Sequence, residues 1–294
     1  MCFSGVCGKR GHLTYILMDR CGFSFSKARE LLGDMFLQIG TGGSSTLPEF
    51  EQRKFKRRAD VEYEKMEEIP AEILGVYDRC PVYMLNRGFT KSTLRQWDVG
   101  YDVERRRVTI PVWSKDRRLV GITKRAVDED VEPRYKHLYF EKSRLLYGEH
   151  LVSDVTEAEP LIVVESQMSV LWLYQSGIRN AVSTLGSQVS LNQIERIAKY
   201  PWVVLAFDED DAGRKATVRV LHGKDQLAWD PLVRRKMPVH EPGLVERVQR
   251  GRLKVVESYC QEGSKDFQEI PEELAAEVAR GAVPWELWNL EEST

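Results

Sequence analysis

Short, unbroken apolar runs punctuate the second half of this chain. Leu161-Ile162-Val163-Val164 and Trp202-Val203-Val204-Leu205-Ala206 are the clearest. Runs of four to eight apolar residues mark strands buried on both faces. The pattern predicts strands over 161–165, 180–185, 202–207 and 253–258. It predicts helices over 168–175, 191–199 and 212–221. Strand and helix in strict alternation make a parallel, doubly wound α/β sheet. Residues 223–251 break the rhythm and carry three prolines; they read as an insertion or an extended loop.

The pattern upstream is different. Residues 82–87 and 91–97 read as short helices around Gly88. Residues 108–113 and 119–123 read as strands joined through the polar turn 114–118. Pro111 makes the first of these an edge, or bulged, at that point. Residues 12–20 and 26–36 look helical, with Ser24 or Ser26 as an N-cap. Gly40-Thr41-Gly42-Gly43-Ser44-Ser45-Thr46 has the composition of a linker. The charged stretch behind it, basic over 52–58 and acidic over 62–68, reads as an exposed helix or tether. The expected division is 1–39, a linker at 40–68, a mixed α+β block at 69–151, and the α/β domain at 152–294 with its insertion at 223–251.

Composition excludes some classes. The chain has 294 residues, 42% hydrophobic and 30% charged, enough to build a core. No apolar run approaches the roughly 20 residues of a membrane span, and the N-terminus lacks a secretory pattern. A cytoplasmic location, without a membrane partner, is expected. Five cysteines, an odd number, suit reduced thiols. The formal net charge is −2, yet residues 105–144 hold twelve Lys and Arg against six Asp and Glu. Such a basic middle suits a polyanion, although scattered surface charge would look the same.

Asp208-Glu209-Asp210-Asp211 is the most informative stretch. It crowds carboxylates at the exit of a buried strand, and Gly213, Arg214 and Lys215 follow. Like charges this close repel unless a cation sits among them, and a divalent ion held through oxygen relieves them. Aspartate at this position also serves as a helix N-cap. In open α/β sheets ligands gather at the carboxyl ends of strands. Glu165, Asp208 and Asp210 fall there, and Gly263-Ser264-Lys265-Asp266 adds a further carboxylate beyond the fourth strand. Hard oxygen donors suit Mg²⁺ or Mn²⁺ rather than zinc.

The ordered set of a strand ending in Glu165, then Thr184-Leu185-Gly186, Asp208-x-Asp210 with Ala212-Gly213-Arg214, and Gly-x-Lys-Asp resembles the Toprim domain of DnaG-type primases, topoisomerases and some nucleases. Arg87-Gly88-Phe89-Thr90, Gly100-Tyr101, Thr109-Ile110-Pro111-Val112, Leu119-Val120-Gly121, Pro133-Arg134-Tyr135 and residues 140–148 precede it in order. Together these resemble the RNA polymerase domain of DnaG-type primases, over about residues 80–285. The resemblance implies a Toprim-type doubly wound sheet preceded by a mixed α+β subdomain. It also implies an enzyme, a DNA-directed RNA polymerase that joins ribonucleoside triphosphates into short primers on single-stranded DNA. Glu165, Asp208, Asp210 and Asp266 would hold Mg²⁺ or Mn²⁺, with Glu165 a ligand or a general base. Lys124, Arg125, Arg134, Lys136, Lys142 and Arg144 would meet template or nucleotide phosphates.

Two departures from the family pattern stand out. Ser166 occupies a position often held by glycine. Cys2 and Cys7, with Gly8-Lys9-Arg10-Gly11, resemble only the second half of the family's zinc ribbon. A structural zinc takes four ligands; His12 and Cys21 would have to complete the set, so zinc is not expected from this chain alone. No Gly-x-x-x-x-Gly-Lys-Ser/Thr loop is present, and the expectation is a short, phage-like primase working with a separate replicative helicase, in the host cytoplasm if phage-encoded. The competing readings are a Toprim nuclease and a non-catalytic single-strand-binding accessory protein.

Overall fold

The computed structural model describes residues 66–230, 235–257, 264 and 266–288. They all belong to the second of two compact units, which begins at Met66. The readings made before that residue, including Cys2, Cys7, His12 and Cys21, lie outside the described residues.

After a 3₁₀ turn at Ala71–Tyr77 come two short helices, α1 (Val82–Asn86) and α2 (Lys91–Gln96). Thr90 caps α2, its side chain accepting from the Thr93 amide at 3.1 Å. An antiparallel sheet follows, in the order β1 (Gly100–Asp102), β2 (Arg107–Trp113), β3 (Leu119–Ala126), β4 (Tyr135–Leu138). The β2–β3 hairpin forms where the apolar pattern places it. β1 and β4 were not anticipated, being short and polar. Pro111 is tolerated inside this sheet for a local reason. The β1 ladder ends at the Gly100–Thr109 pair, and β2 continues past it against β3 alone. A register shift follows between Val112 and Trp113.

The second sheet has the order β11-β10-β7-β5-β6. Its strands are β5 (Leu161–Val164), β6 (Ala181–Ser183), β7 (Val203–Leu205), β10 (Leu253–Val255) and β11 (Val283–Pro284). All but β11 run parallel. The crossovers are α3 (Gln167–Gln175), α4 (Leu191–Ile197) and α5 (Asp211–His222), and α6 (Glu272–Arg280) follows β10. Leu161, Val163, Val182, Ile194, Leu205 and Val220 form the core, none more than 1% exposed. Ser190 and Gln193 close a capping box at the start of α4. Among the described residues no helix is long and apolar enough to cross a membrane.

The break at 223–251 is not simply an extended loop. It contains β8 (Lys224–Asp230) and β9 (Arg235–Glu241), paired antiparallel as a separate two-stranded ribbon. Pro238 fits because each strand of such a ribbon has a free edge.

The two sheets are joined through side chains of α3. Gln175 Nε2 donates to Gly88 O at 2.9 Å, and its Oε1 accepts from the Thr90 amide at 2.7 Å. Trp172 packs edge-on against Phe89, ring centroids 5.5 Å apart. Gly88 has φ +88°, and a Cβ there would come within 3.1 Å of the Trp172 ring, so the turn needs glycine on both counts. The Arg87-Gly88-Phe89-Thr90 segment is thereby fastened to the parallel sheet's first helix.

Candidate active site

The acidic residues stand at the carboxyl ends of the parallel strands, where a doubly wound sheet opens its crevice. Glu165 follows β5, and its position is set by the backbone. Its carbonyl accepts from Ser183 Oγ at 2.6 Å and from the Gly186 amide at 2.9 Å. Ser166 caps α3 by accepting from the Ser169 amide at 3.0 Å. Asp208 lies beyond β7, with its amide 3.4 Å from Glu165 Oε1. Asp210 caps α5, its Oδ1 accepting from the Gly213 amide at 2.9 Å. The cap and the site are therefore two duties of one side chain. Gly213 cannot be larger, because a Cβ there would stand 2.0 Å from Asp208 O and 2.8 Å from Glu165 Oε1. Asp266, beyond β10, accepts from the Gln268 amide at 2.7 Å through Oδ1.

These groups feel one another's charge. Burial pushes the Asp208 carboxyl up to about 8, and the charges of Glu165, Asp266, Asp210 and Glu269 push the same way. Burial likewise raises Glu165 to about 7. The Asp208 amide opposes that rise, while Asp210 and Asp266 add to it. Burial also raises Asp266 against the Gln268 amide; Glu269 adds to the rise and the Arg87 cation opposes it. The donor set is all carboxylate and short of positive charge, as a hard divalent cation requires. The side chains meet electrostatically without yet closing. Among the described residues no three Asp, Glu, His or Cys side chains are set closely enough to hold a metal ion.

Two neighbours were not anticipated. Arg87 donates to Gln268 Oε1, which places a guanidinium beside Asp266. Gln268 Nε2 is buried with no acceptor. Glu269 brings a further acidic charge toward Asp208. The Arg87 motif is visible in the sequence, but its proximity to Asp266 depends on Gln175 and Trp172. For Glu269 no sequence signal exists beyond its closeness to Asp266.

The six basic candidates divide. Lys142 is exposed, and its Nζ lies 3.9 Å from where a Cβ on Gly186 would be, so it overhangs the loop after β6. Gln193, buried in α4, holds that arrangement: its Nε2 donates to Lys142 O at 3.0 Å, Leu145 O at 3.1 Å and Thr184 O at 2.8 Å. Arg144 pairs with Glu141 at 2.8 Å. Arg134 and Lys136 are exposed on and beside β4. Lys124 and Arg125, by contrast, point to opposite faces of β3 and both are buried. Lys124 Nζ donates to Asp102 at 2.7 Å and to Tyr77 at 2.8 Å. Arg125 donates to Tyr135 at 3.1 Å and lies 4.6 Å from the Tyr83 ring centroid. Neither is presented to a nucleic acid, which corrects the expectation for these two: charge in the sequence does not show which side of a strand is covered.

Residues 162–239 match a family described as Toprim-like. The DNA primase of Legionella pneumophila is 29% identical over 256 residues, covering 75% of this chain and 44% of that protein. Over this stretch the chain is similar to DNA primases. The DNA primase of Aquifex aeolicus is 31% identical over 169 residues, 55% of this chain and 33% of that one. The chain thus spans less than half the length of these curated relatives. Among solved structures, the DnaG primase catalytic domain bound to single-stranded DNA shares the fold. It has a TM-score of 0.51 and 21% identity, over 76% of this chain and 78% of that one. The zinc-binding and RNA polymerase domains of the Aquifex aeolicus primase give a TM-score of 0.55 and 20% identity, over 94% of this chain and 72% of that one. The likeness to these two solved structures is one of fold.

Proposed function

We propose that this protein is a primase, joining ribonucleoside triphosphates into short RNA primers on a single-stranded DNA template. The observation that carries the reading is the convergence of Glu165, Asp208 and Asp266 at the ends of three parallel strands, in a chain whose relatives are primases. On this reading residues 69–151 form the subdomain that presents template and nucleotide, and 152–294 the metal-binding domain.

Glu165, Asp208, Asp210 and Asp266 would hold Mg²⁺ or Mn²⁺, which would neutralise the triphosphate and lower the pKa of the attacking 3′-hydroxyl. Asp210 keeps one oxygen on the helix cap and offers the other to the site. Arg87 balances Asp266. The buried Gln268 Nε2 gives an amide donor suited to a phosphate or ribose oxygen. Lys142, over the Gly186 loop, is placed to meet a phosphate, while Arg134 and Lys136 give the template backbone positive charge to follow. The reaction would take place in the cytoplasm, with a separate replicative helicase as the expected partner.

The test is direct. The protein is incubated with single-stranded DNA, labelled ribonucleotides and Mg²⁺ or Mn²⁺, beside Asp208→Asn and Asp210→Asn. RNA of primer length from the wild type alone supports the proposal. Cut template without RNA would replace it with a nuclease, and binding without either product with an accessory protein.

A further inference from the structure

The parallel sheet has a second feature at the end away from the carboxylates. The starts of β5, β7 and β10, together with α6, line an open cleft of about 530 Å³. Small-molecule sites commonly measure about 300–1,000 Å³. The gap follows from side-chain size. α6 offers the small Ala276 and Ala279 to it, with Arg280 at its end, across from Ile162 and Val204 of the sheet. Trp202 provides an aromatic wall.

Four cations line the same space: Arg179, Arg252, Lys254 and Arg280. Among the described residues none of them has an ion-pair partner. Arg252 lies 5.4 Å from the Trp202 ring centroid, and Arg179 lies 3.9 Å from that of Tyr174. Arg280 spends one donor, Nε, on Ala276 O at 3.0 Å. Lys254 sits at the centre of β10, half-buried between the buried Leu253 and Val255. Its ammonium is a charge that attracts an anion. Glu157 and Glu159 also line the cavity but are exposed. Carboxylates so placed accept from sugar hydroxyls, as acidic residues do in dinucleotide sites. An aromatic face, a cluster of unpaired cations and two acceptors together describe one kind of ligand, a flat ring joined through a hydroxylated sugar to phosphate.

We propose that this cavity binds a nucleoside phosphate, with the base against Trp202 and the phosphates on Lys254, Arg252 and Arg280. It is separate from the carboxylate site, although β5, β7 and β10 run from one to the other. The proposal does not depend on which reaction the carboxylates perform.

The experiment uses the Asp208→Asn protein with EDTA present, which disables metal-dependent nucleotide binding at the carboxylates. ATP is titrated calorimetrically, and Lys254→Gln and Arg280→Gln are then introduced singly. ATP should bind, and each substitution should weaken it about tenfold, as loss of a charged phosphate contact does. The melting temperature should stay unchanged, showing intact folding. Inorganic triphosphate should bind about tenfold more weakly than ATP, because it has no base to stack. Absence of ATP binding up to about 1 mM, indifference to both substitutions, or triphosphate binding as tightly as ATP would each overturn the proposal.

Discussion

The amide of Asp208 reaches toward Glu165 Oε1 across 3.4 Å, so the exit of β7 partly supports a carboxylate placed at the exit of β5. The bond opposes the rise in Glu165's pKa but does not cancel it, since that carboxyl stays at about 7 and Asp208 itself at about 8.

A pH dependence of stability follows from those two values. Carboxyls in the unfolded chain titrate near about 4. Between that value and about 8 these two groups hold more protons in the folded than in the unfolded chain, so their contribution to stability falls as pH rises. In EDTA the melting temperature should decline from about pH 5 to about pH 8, and the Asp208→Asn protein should decline less. Divalent metal should restore stability most at the alkaline end, where the carboxylates are ionised and free to bind it. A wild-type melting curve that rises over this interval, or matches that of Asp208→Asn throughout, would remove the electrostatic account of the site.

Asp210 separates structure from chemistry. Asparagine caps helices about as well as aspartate, so Asp210→Asn should unfold at nearly the wild-type urea midpoint. Its primer synthesis should fall by about two orders of magnitude or more, as loss of a charged catalytic contact does. Asp210→Ala should lose about 1 kcal/mol of stability in addition, through the lost cap. Equal destabilisation by both substitutions would mean that the cap is not what Asp210 contributes to folding.

Gly213 is fixed by contact rather than by φ. A methyl group there would overlap Asp208 O at 2.0 Å, and the obstacle is backbone, which cannot rotate away. Gly213→Ala should cost about 1–3 kcal/mol in denaturant titrations, in the range of overpacked cores. It should also weaken metal binding, because the displaced segment carries Asp208. A variant as stable as the wild type would show that the turn into α5 has room to yield.

Legibility in the sequence followed the range of the forces involved. The places of Glu165, Asp208 and Asp210 at the strand ends were readable because buried parallel strands are continuous apolar runs and their ends are therefore visible. The strands proved shorter than their apolar runs, since Phe207 stays buried after the β7 ladder has ended at Leu205. Asp266 was singled out through resemblance alone, its local turn being ordinary. Arg87 was not, because its place beside Asp266 is decided by Gln175 and Trp172, more than eighty residues later. The β8–β9 ribbon was hidden because Lys224-Asp225-Gln226 shows no alternation and Pro238 argues against a strand.

Lys124 and Lys136 pair directly across the β3–β4 ladder and have opposite fates, which gives a decisive comparison. Burial works against the Lys124 ammonium, but the hydrogen bonds to Asp102 and Tyr77 overcome it and its pKa is raised. Asp102 is buried too and has Lys124 as its ion-pair partner. Lys124→Met would leave that carboxylate without its direct ion-pair partner, and breaking a buried pair from one side costs about 3–5 kcal/mol. Its signature is therefore a lowered urea midpoint. Lys136 is exposed, so Lys136→Ala should leave the midpoint in place. Its effect should emerge in fluorescence anisotropy with single-stranded DNA. Affinity should fall, and the salt dependence of log K should become shallower by about 0.7, the slope attached to one phosphate contact on a single strand. If Lys124→Met instead changed the salt slope at constant stability, the buried pair would have to open on binding and Lys124 would return to the template groove.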